Sequence, residues 1–114
     1  LDIAASPALG QDAGAYAGQT TGVAITADIA AGLSTAHCLI DFTRPEGTLN
    51  HLRECARLGV KVVIGTTGFS DAQKAEIAAY AKQTAIVMAP NMSVGVNVTL
   101  KLLQINYLAT KRIE

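Results

Sequence analysis

Small and polar residues follow short apolar runs at three places in this chain. The first run ends at Asp41-Phe42-Thr43-Arg44, the second at Gly65-Thr66-Thr67 and the third at Ala89-Pro90-Asn91-Met92. Carboxylate, hydroxyl, amide and guanidinium groups can hold a polar ligand, and glycine lets a flat ring approach the backbone closely. We therefore predict that the chemistry lies at these three junctions, where an α/β sheet presents a ligand site at its strand ends.

The elements that position these junctions follow from the apolar periodicity. Nearly continuous apolar runs at 36–42, 60–64 and 85–89 predict strands that are covered on both faces. A shorter run at 23–26 predicts another strand, and residues 28–33 predict a helical turn. Strands that alternate with helices are typical of a parallel sheet, so we predict a Rossmann-like α/β fold with flanking helices.

Two capping signatures of the form S/T-x-x-E/Q open the predicted helices between the strands. Thr43 with Glu46 starts the first helix, which runs to Gly59, and Ser70 with Gln73 starts the second, which ends near Gln83. The segment after Asn91 fits strand alternation and helical spacing equally well by itself.

The beginning of the chain lacks one expected feature of a dinucleotide domain. The start at Leu1, without Met, gives Leu1-Asp2-Ile3-Ala4 the pattern of a strand end whose first part is missing, and no G-x-G-x-x-G turn occurs. Residues 5–22 predict a loop of low intrinsic order. We interpret residues 1–114 as part of one dinucleotide-binding domain, without a second domain.

Composition excludes several classes of function. Nine basic residues balance nine acidic ones with no basic cluster, which argues against a nucleic-acid partner. Apolar runs are strand-sized and no signal peptide is evident, which predicts a cytoplasmic protein without a membrane partner. Cys38 and Cys55 predict two reduced thiols in apolar surroundings rather than a metal site, and we assign His37 and His51 structural or surface roles.

The segments 39–49, 62–69 and 91–98 together resemble the cofactor domain of dihydrodipicolinate reductase, a nicotinamide-dependent family of lysine biosynthesis. The resemblance covers residues 1 to about 103, favours a helix after Asn91, and ceases in the tail from about Gln104. It implies an oxidoreductase of the diaminopimelate pathway that transfers a hydride from NAD(P)H to the cyclic imine precursor of tetrahydrodipicolinate. Two alternatives remain: a non-catalytic α/β nucleotide-binding module, and another Rossmann dehydrogenase of aspartate-derived metabolites.

The resemblance also implies roles for single residues at the first junction. Asp2 would accept hydrogen bonds from the adenosine ribose hydroxyls, although it could be a solvated acid near a chain end. Relatives that use NADP often have Arg after this acid, and the Ile3 found here favours NADH over NADPH. Phe42, Thr43 and Arg44 would line the cofactor cleft; the alternatives are a core position for Phe42 and a surface charge for Arg44.

The second and third junctions would border the nicotinamide. Gly65, Thr66 and Thr67 would contact it, and Thr67 would also reach the carboxylate of a small dicarboxylate substrate. The alternative is a structural turn. The third junction would supply further cofactor contacts, from Ala89, Pro90, Asn91 and Met92.

Two parts of the family pattern are absent from this sequence. The Gly-rich phosphate turn would precede Leu1, and a His-rich catalytic motif with a Lys proton donor would follow Asn97. We therefore place no catalytic residue in this chain and predict that it is inactive alone. Without a first central strand, we expect a partner segment or self-association to complete the sheet. The family implies a homo-oligomer, a tetramer.

Overall fold

A three-stranded parallel sheet forms the centre of the computed structural model, which describes residues 1–111 and all of their side chains except those of 109 and 110. The strands, in spatial order, are β1 (Cys38–Asp41), β2 (Lys61–Ile64) and β3 (Ile86–Met88). The helices are α1 (Ile29–Leu33), α2 (Pro45–Leu58), α3 (Asp71–Tyr80) and α4 (Val94–Thr110). The parallel α/β class predicted from the sequence is confirmed.

One face of the sheet is covered by helices and holds the core. Val62 and Ile64 of β2 are 1% and 0% exposed, because α2 packs on this face and is itself flanked by α1 and α3. The helix side of the core is mainly aliphatic and includes the aromatic ring of Phe69. Its buried members are Leu33, Leu49, Leu52, Cys55, Val60, Phe69 and Ile77.

The opposite face of the sheet is open, which corrects the prediction of strands covered on both sides. Ile40 and Val87 are 69% and 61% exposed, and both pair in register with Val63. The physical reason is the period of two along a strand, which sends these three side chains away from α2. Cys38, predicted to be in apolar surroundings, is exposed, whereas Cys55 on α2 is buried.

Helix α2 begins without the predicted capping box. Its N-cap is Arg44, which makes no side-chain cap, while Pro45 occupies the first turn and Gly59 ends the helix with a φ of 71°. The Thr43 hydroxyl donates to the Asp41 carboxylate at 2.7 Å instead. This bond fixes the direction of the Thr43 hydroxyl, and the helix begins one residue later than the capping pattern predicts.

Helix α3 has the predicted capping box in full. The Ser70 hydroxyl accepts from the Gln73 amide, and the Gln73 side chain accepts from the Ser70 amide in return. The helix ends at Tyr80, three residues before the predicted Gln83, and a turn leads on to β3.

The first 26 residues form no strand, contrary to the predictions for 1–4 and 23–26. The Asp2 amide makes one backbone bond to the Thr26 carbonyl, and Ala24 forms an isolated bridge with Asp12. The loop is nevertheless well organised, because the Asp12 carboxylate accepts from Gly14, Thr21 and Gly22. These hydrogen bonds, led by that of the Thr21 amide, lower the pKa of Asp12 to about 2.

Helix α4 resolves the ambiguity after Asn91 in favour of a helix. Its apolar side chains are exposed along its length, from Val94 at 79% to Leu108 at 55%. Within residues 1–111, no helix combines the length and the apolar character needed to cross a bilayer. The tail predicted to diverge from Gln104 is helical through Thr110, and its last three residues, 112–114, lie outside the described residues.

Candidate functional site

The three junctions predicted from the sequence lie along one edge of the sheet. Asp41, Ile64 and Met88 are opposite one another in the parallel register, so the chain leaves all three strands on the same side. The Gly65 amide donates to the Asp41 carbonyl at 2.8 Å, and the Ala89 amide donates to the Ile64 carbonyl at 3.2 Å. These bonds tie the start of the second and third junctions to the neighbouring strand, as the sequence predicts for a site at strand ends.

A cleft of about 740 Å³ opens beside the first junction. It brings Phe42, Thr43 and Arg44 together with Asp2 from the N-terminal segment. The far wall is α2, which contributes Glu46, Gly47, Asn50 and His51. The volume is within the usual range for small-molecule sites. The lining does not include Gly65, Thr66, Thr67 or the junction of residues 89–92, so this cleft unites only the first predicted group.

Phe42 links the first junction to the second. The residue is 64% exposed, which excludes the core position considered for it, and its ring lies directly on the backbone of Gly65. A β-carbon built at Gly65 would be 2.0 Å from a ring carbon of Phe42. Glycine at position 65 is therefore what allows the aromatic ring to rest against the strand end.

A buried carboxylate, that of Asp41, holds the first two junctions together. Asp41 is 2% exposed at the end of β1 and accepts from the Thr43 amide at 2.9 Å and from the Thr43 hydroxyl. It also accepts from Thr66 in the second junction and from Thr48 on α2, each at 3.2 Å. His51 Nδ1 lies 2.7 Å from the second carboxylate oxygen. We call these five residues the Asp41 network.

The buried polar side-chain atoms of the Asp41 network all have hydrogen-bond partners, and the carboxyl group of Asp41 stays ionised. Burial by itself raises the pKa of Asp41, but hydrogen bonds from His51 and Thr43 outweigh it and hold that pKa well below its usual range. An ionised carboxylate only accepts, so Nδ1 of His51 carries a hydrogen. Each hydroxyl has one hydrogen: Thr66 donates to Asp41, whereas Thr48 lies within reach of both Asp41 and the Thr66 hydroxyl, at 3.2 and 2.9 Å, and donates to one of them at a time.

The second and third junctions differ in what their side chains offer to a ligand. Thr66 is 4% exposed and its hydroxyl is bound to Asp41, so any ligand contact from it would come from the backbone. Thr67 is exposed, and its hydroxyl makes no hydrogen bond within the described part of the chain. In the third junction, the Asn91 carboxamide oxygen already accepts from the Ser93 amide, while Pro90 and Met92 are exposed.

Asp2 is exposed at the mouth of the cleft, outside any strand. Its two oxygens accept from the Ser6 hydroxyl at 2.6 Å and from the Ile3 amide at 2.8 Å, and these bonds lower the pKa of Asp2. Because a carboxylate offers about four acceptor positions, two remain for a ligand. Arg44 is exposed and its guanidinium makes no ion pair within residues 1–111.

Comparison with known families identifies the chain. Residues 1–92 match the family model described as "Dihydrodipicolinate reductase, N-terminus". The chain belongs to this family. The matched region contains every residue that the sequence analysis assigned to the site, from Asp2 to Met92, and it confirms the resemblance inferred from the three junctions.

Similar curated proteins carry the same family's reductase name. The chain is 68% identical over 105 residues to the 4-hydroxy-tetrahydrodipicolinate reductase of Cupriavidus pinatubonensis, and 64% identical over 105 residues to that of Cupriavidus taiwanensis. That of Herminiimonas arsenicoxydans is 64% identical over 104 residues. These matches cover 92%, 92% and 91% of this chain. The chain spans about 40% of the length of these relatives.

Sequence reasoning missed the residues that organise this candidate site. Asp41 was noticed only as part of a motif, and His51 was assigned a structural or surface role. A signal was present, because Thr48 and His51 are three residues apart and share the face of α2 that meets the end of β1. An acid at a strand end, followed by such a polar pair on the next helix, predicts a shared network.

Proposed function

We propose that this chain is the dinucleotide-binding part of a 4-hydroxy-tetrahydrodipicolinate reductase. The proposal depends on one observation: three strand ends meet at a single edge of a parallel sheet within the segment that matches the reductase family. The proposed cofactor is NAD(P)H. The proposed substrate is 4-hydroxy-tetrahydrodipicolinate, the cyclic dicarboxylate that appears in the names of the relatives. A cytoplasmic homo-oligomer, with the remaining parts of the site supplied by the rest of the protein, completes the proposal.

The groups around the cleft suit the parts of a dinucleotide. Asp2 has free acceptor positions for a ribose diol, and Arg44 offers a cation without an ion-pair partner in the described part of the chain. Phe42 offers an exposed aromatic ring beside a glycine, which suits a flat ligand ring. Asp2, Phe42, Thr43 and Arg44 are therefore proposed to bind the cofactor from the cleft.

The second and third junctions are proposed to act at the reacting end. Backbone groups of Gly65, Thr66 and Thr67, and the segment Ala89 to Met92, would border the nicotinamide. The exposed hydroxyl of Thr67 is free to donate to a substrate carboxylate. When bound, the nicotinamide supplies the hydride that reduces the cyclic imine. This chain's own contribution is to bind and orient, with its two junctions held in register by Asp41.

The test uses the natural full-length protein rather than residues 1–114 alone. We expect it to oxidise NADH or NADPH in the presence of 4-hydroxy-tetrahydrodipicolinate, followed by the loss of absorbance of the reduced nicotinamide. Asp2→Asn should weaken dinucleotide binding by roughly tenfold, since a hydrogen bond to a charged group contributes about 1.5 kcal/mol. The matched control is Asp71→Asn on the exposed start of α3, which should leave the affinity unchanged.

Two further variants separate substrate from cofactor. Thr67→Val should raise KM for the dicarboxylate while the Kd for NADH stays constant. Ile3→Arg should improve NADPH binding relative to NADH, because a guanidinium next to Asp2 would meet the 2′-phosphate. Dinucleotide binding without any reduction would favour the non-catalytic module instead, and reduction of a different aspartate-derived substrate alone would favour the other dehydrogenase. Absence of dinucleotide binding would refute the proposal.

A further inference from the structure

His51 has one ring nitrogen engaged and the other free. Nδ1 is bound to the buried Asp41 carboxylate at 2.7 Å, and the side chain is 17% exposed. Nε2 makes no hydrogen bond within residues 1–111, and no buried polar side-chain atom in that range lacks a partner. Nε2 is therefore accessible, and the surface that His51 presents is the wall of the 740 Å³ cleft.

Asp41 fixes the chemical form of that free nitrogen. Because the carboxylate only accepts, the hydrogen of a neutral imidazole lies on Nδ1, and Nε2 keeps its lone pair. The ring is held by a helix on one side and by a strand-end carboxylate on the other, so its direction is set before a ligand arrives. A pre-oriented acceptor in a cleft suits a ligand that presents an N–H group.

The position in the cleft indicates which part of the dinucleotide meets His51. The cleft contains Asp2, the proposed ribose ligand, and lacks the two junctions proposed for the nicotinamide. Its occupant is thus the adenosine end. The Arg44 guanidinium lies on the same cleft and offers a flat cationic group suited to stacking on a purine.

We infer that His51, positioned by Asp41, is a cofactor-binding residue whose Nε2 accepts a hydrogen bond from the 6-amino group of the adenine. This inference rests on the proposed function and deepens it. His51, assigned a structural or surface role from the sequence, would thus recognise the adenine base. Asp41 would be the positioning residue that holds the His51 ring.

The experiment changes the two proposed partners separately: first the 6-amino group of the adenine, then the imidazole of His51. The probes are NADH and reduced nicotinamide hypoxanthine dinucleotide, which has an oxygen where adenine has its 6-amino group. Kd values are measured by titration calorimetry on the full natural chain. We expect wild type to prefer NADH by roughly two- to tenfold, the effect of one neutral hydrogen bond. His51→Asn should abolish this preference, because Asn keeps a donor near Nδ1 and lacks Nε2.

Controls separate a ligand role from a structural one. His51→Asn can still donate to Asp41, so its unfolding midpoint should stay near wild type, whereas His51→Ala removes that donor and should lower it. His37→Asn changes the other, exposed histidine and should preserve the base preference. An unchanged preference in His51→Asn would overturn the inference while leaving the proposed function intact, as would equal loss of both dinucleotides. If wild type binds neither dinucleotide, both proposals fail.

Discussion

Removal of the Asp41 carboxylate should destabilise this domain more than any exposed acid can. Asp41→Ala takes away the acceptor of two hydroxyls that are themselves buried, those of Thr48 and Thr66, which are 0% and 4% exposed. It also leaves the Thr43 amide and the ring N–H of His51 without their partner. The variant thus creates unsatisfied donors around a new cavity.

The expected cost follows from these contacts. A hydrogen bond to a charged group contributes about 1.5–3 kcal/mol, but the Asp41 contacts are not additive because Thr48 and Thr66 can still bond to each other at 2.9 Å. The lost acceptor leaves several buried donors without a partner, each at about 1–3 kcal/mol, and we expect Asp41→Ala to cost about 3–5 kcal/mol in total. Asp41→Asn retains one oxygen and should cost less, about 1–3 kcal/mol.

Urea unfolding followed by circular dichroism measures the effect. Asp71→Asn is the matched control, since its carboxylate is fully exposed and within residues 1–111 forms an ion pair only with Lys74, at 3.0 Å. It should change the free energy of unfolding by less than about 1 kcal/mol. If Asp41→Ala costs no more than Asp71→Asn, the stabilising role of the network is refuted.

A comparison of wild type with Asp41→Asn tests how the stability depends on pH. The pKa of Asp41 in the folded chain lies below the value of about 3.9 expected in the unfolded chain. A carboxyl group with a depressed pKa stabilises the folded state above the unfolded pKa, and loses that contribution as pH falls towards the folded pKa. The part of the stability difference between wild type and Asp41→Asn that the carboxyl group supplies should therefore shrink as pH falls below about 4. A difference that grows on acidification would contradict this account.

Three smaller perturbations separate stability from binding. Ser70→Ala removes the N-cap of α3 and should cost about 1 kcal/mol in urea unfolding without changing the Kd for NADH. Gly65→Ala should cost under about 1 kcal/mol, because the exposed Phe42 ring can turn away from the new methyl group, yet calorimetry should show weaker NADH binding. Burial raises the pKa of the Cys55 thiol to about 11, so iodoacetamide should label only the exposed Cys38 until the protein unfolds.

The fold was predictable wherever local patterns decide it. The apolar runs, Gly59 and the Ser70 capping box predicted the β-α-β order, and the structure confirms them. The failures have physical causes that local sequence does not contain. Thr43 has the pattern of a capping residue, but its hydroxyl donates to a carboxylate two positions earlier, and the helix begins one residue later with Arg44 as its N-cap. Ile40 has the pattern of a core residue, but period two places it on the open face.

The site was predictable as a set of strand ends and not as a set of contacts. Parallel strands bring their carboxyl ends to one edge, so three junctions could be grouped without coordinates. A tertiary contact decides which of two adjacent threonine hydroxyls is buried. The Thr66 hydroxyl donates to Asp41, while Thr67 remains exposed. Adjacent residues of identical type thus differ completely in what they can offer to a ligand.

Asp41 explains why stability and binding should be coupled at this edge. An apolar residue of similar size would avoid the cost of burying a charge, so the carboxylate is not the most stabilising choice for packing alone. Only a hydrogen-bond acceptor can bind three donors simultaneously: Thr43 of the first junction, Thr66 of the second and His51 of the cleft wall. Variants of Asp41 should therefore lose stability and dinucleotide affinity together, whereas variants of Ser70 lose only the first and variants of Asp2 only the second.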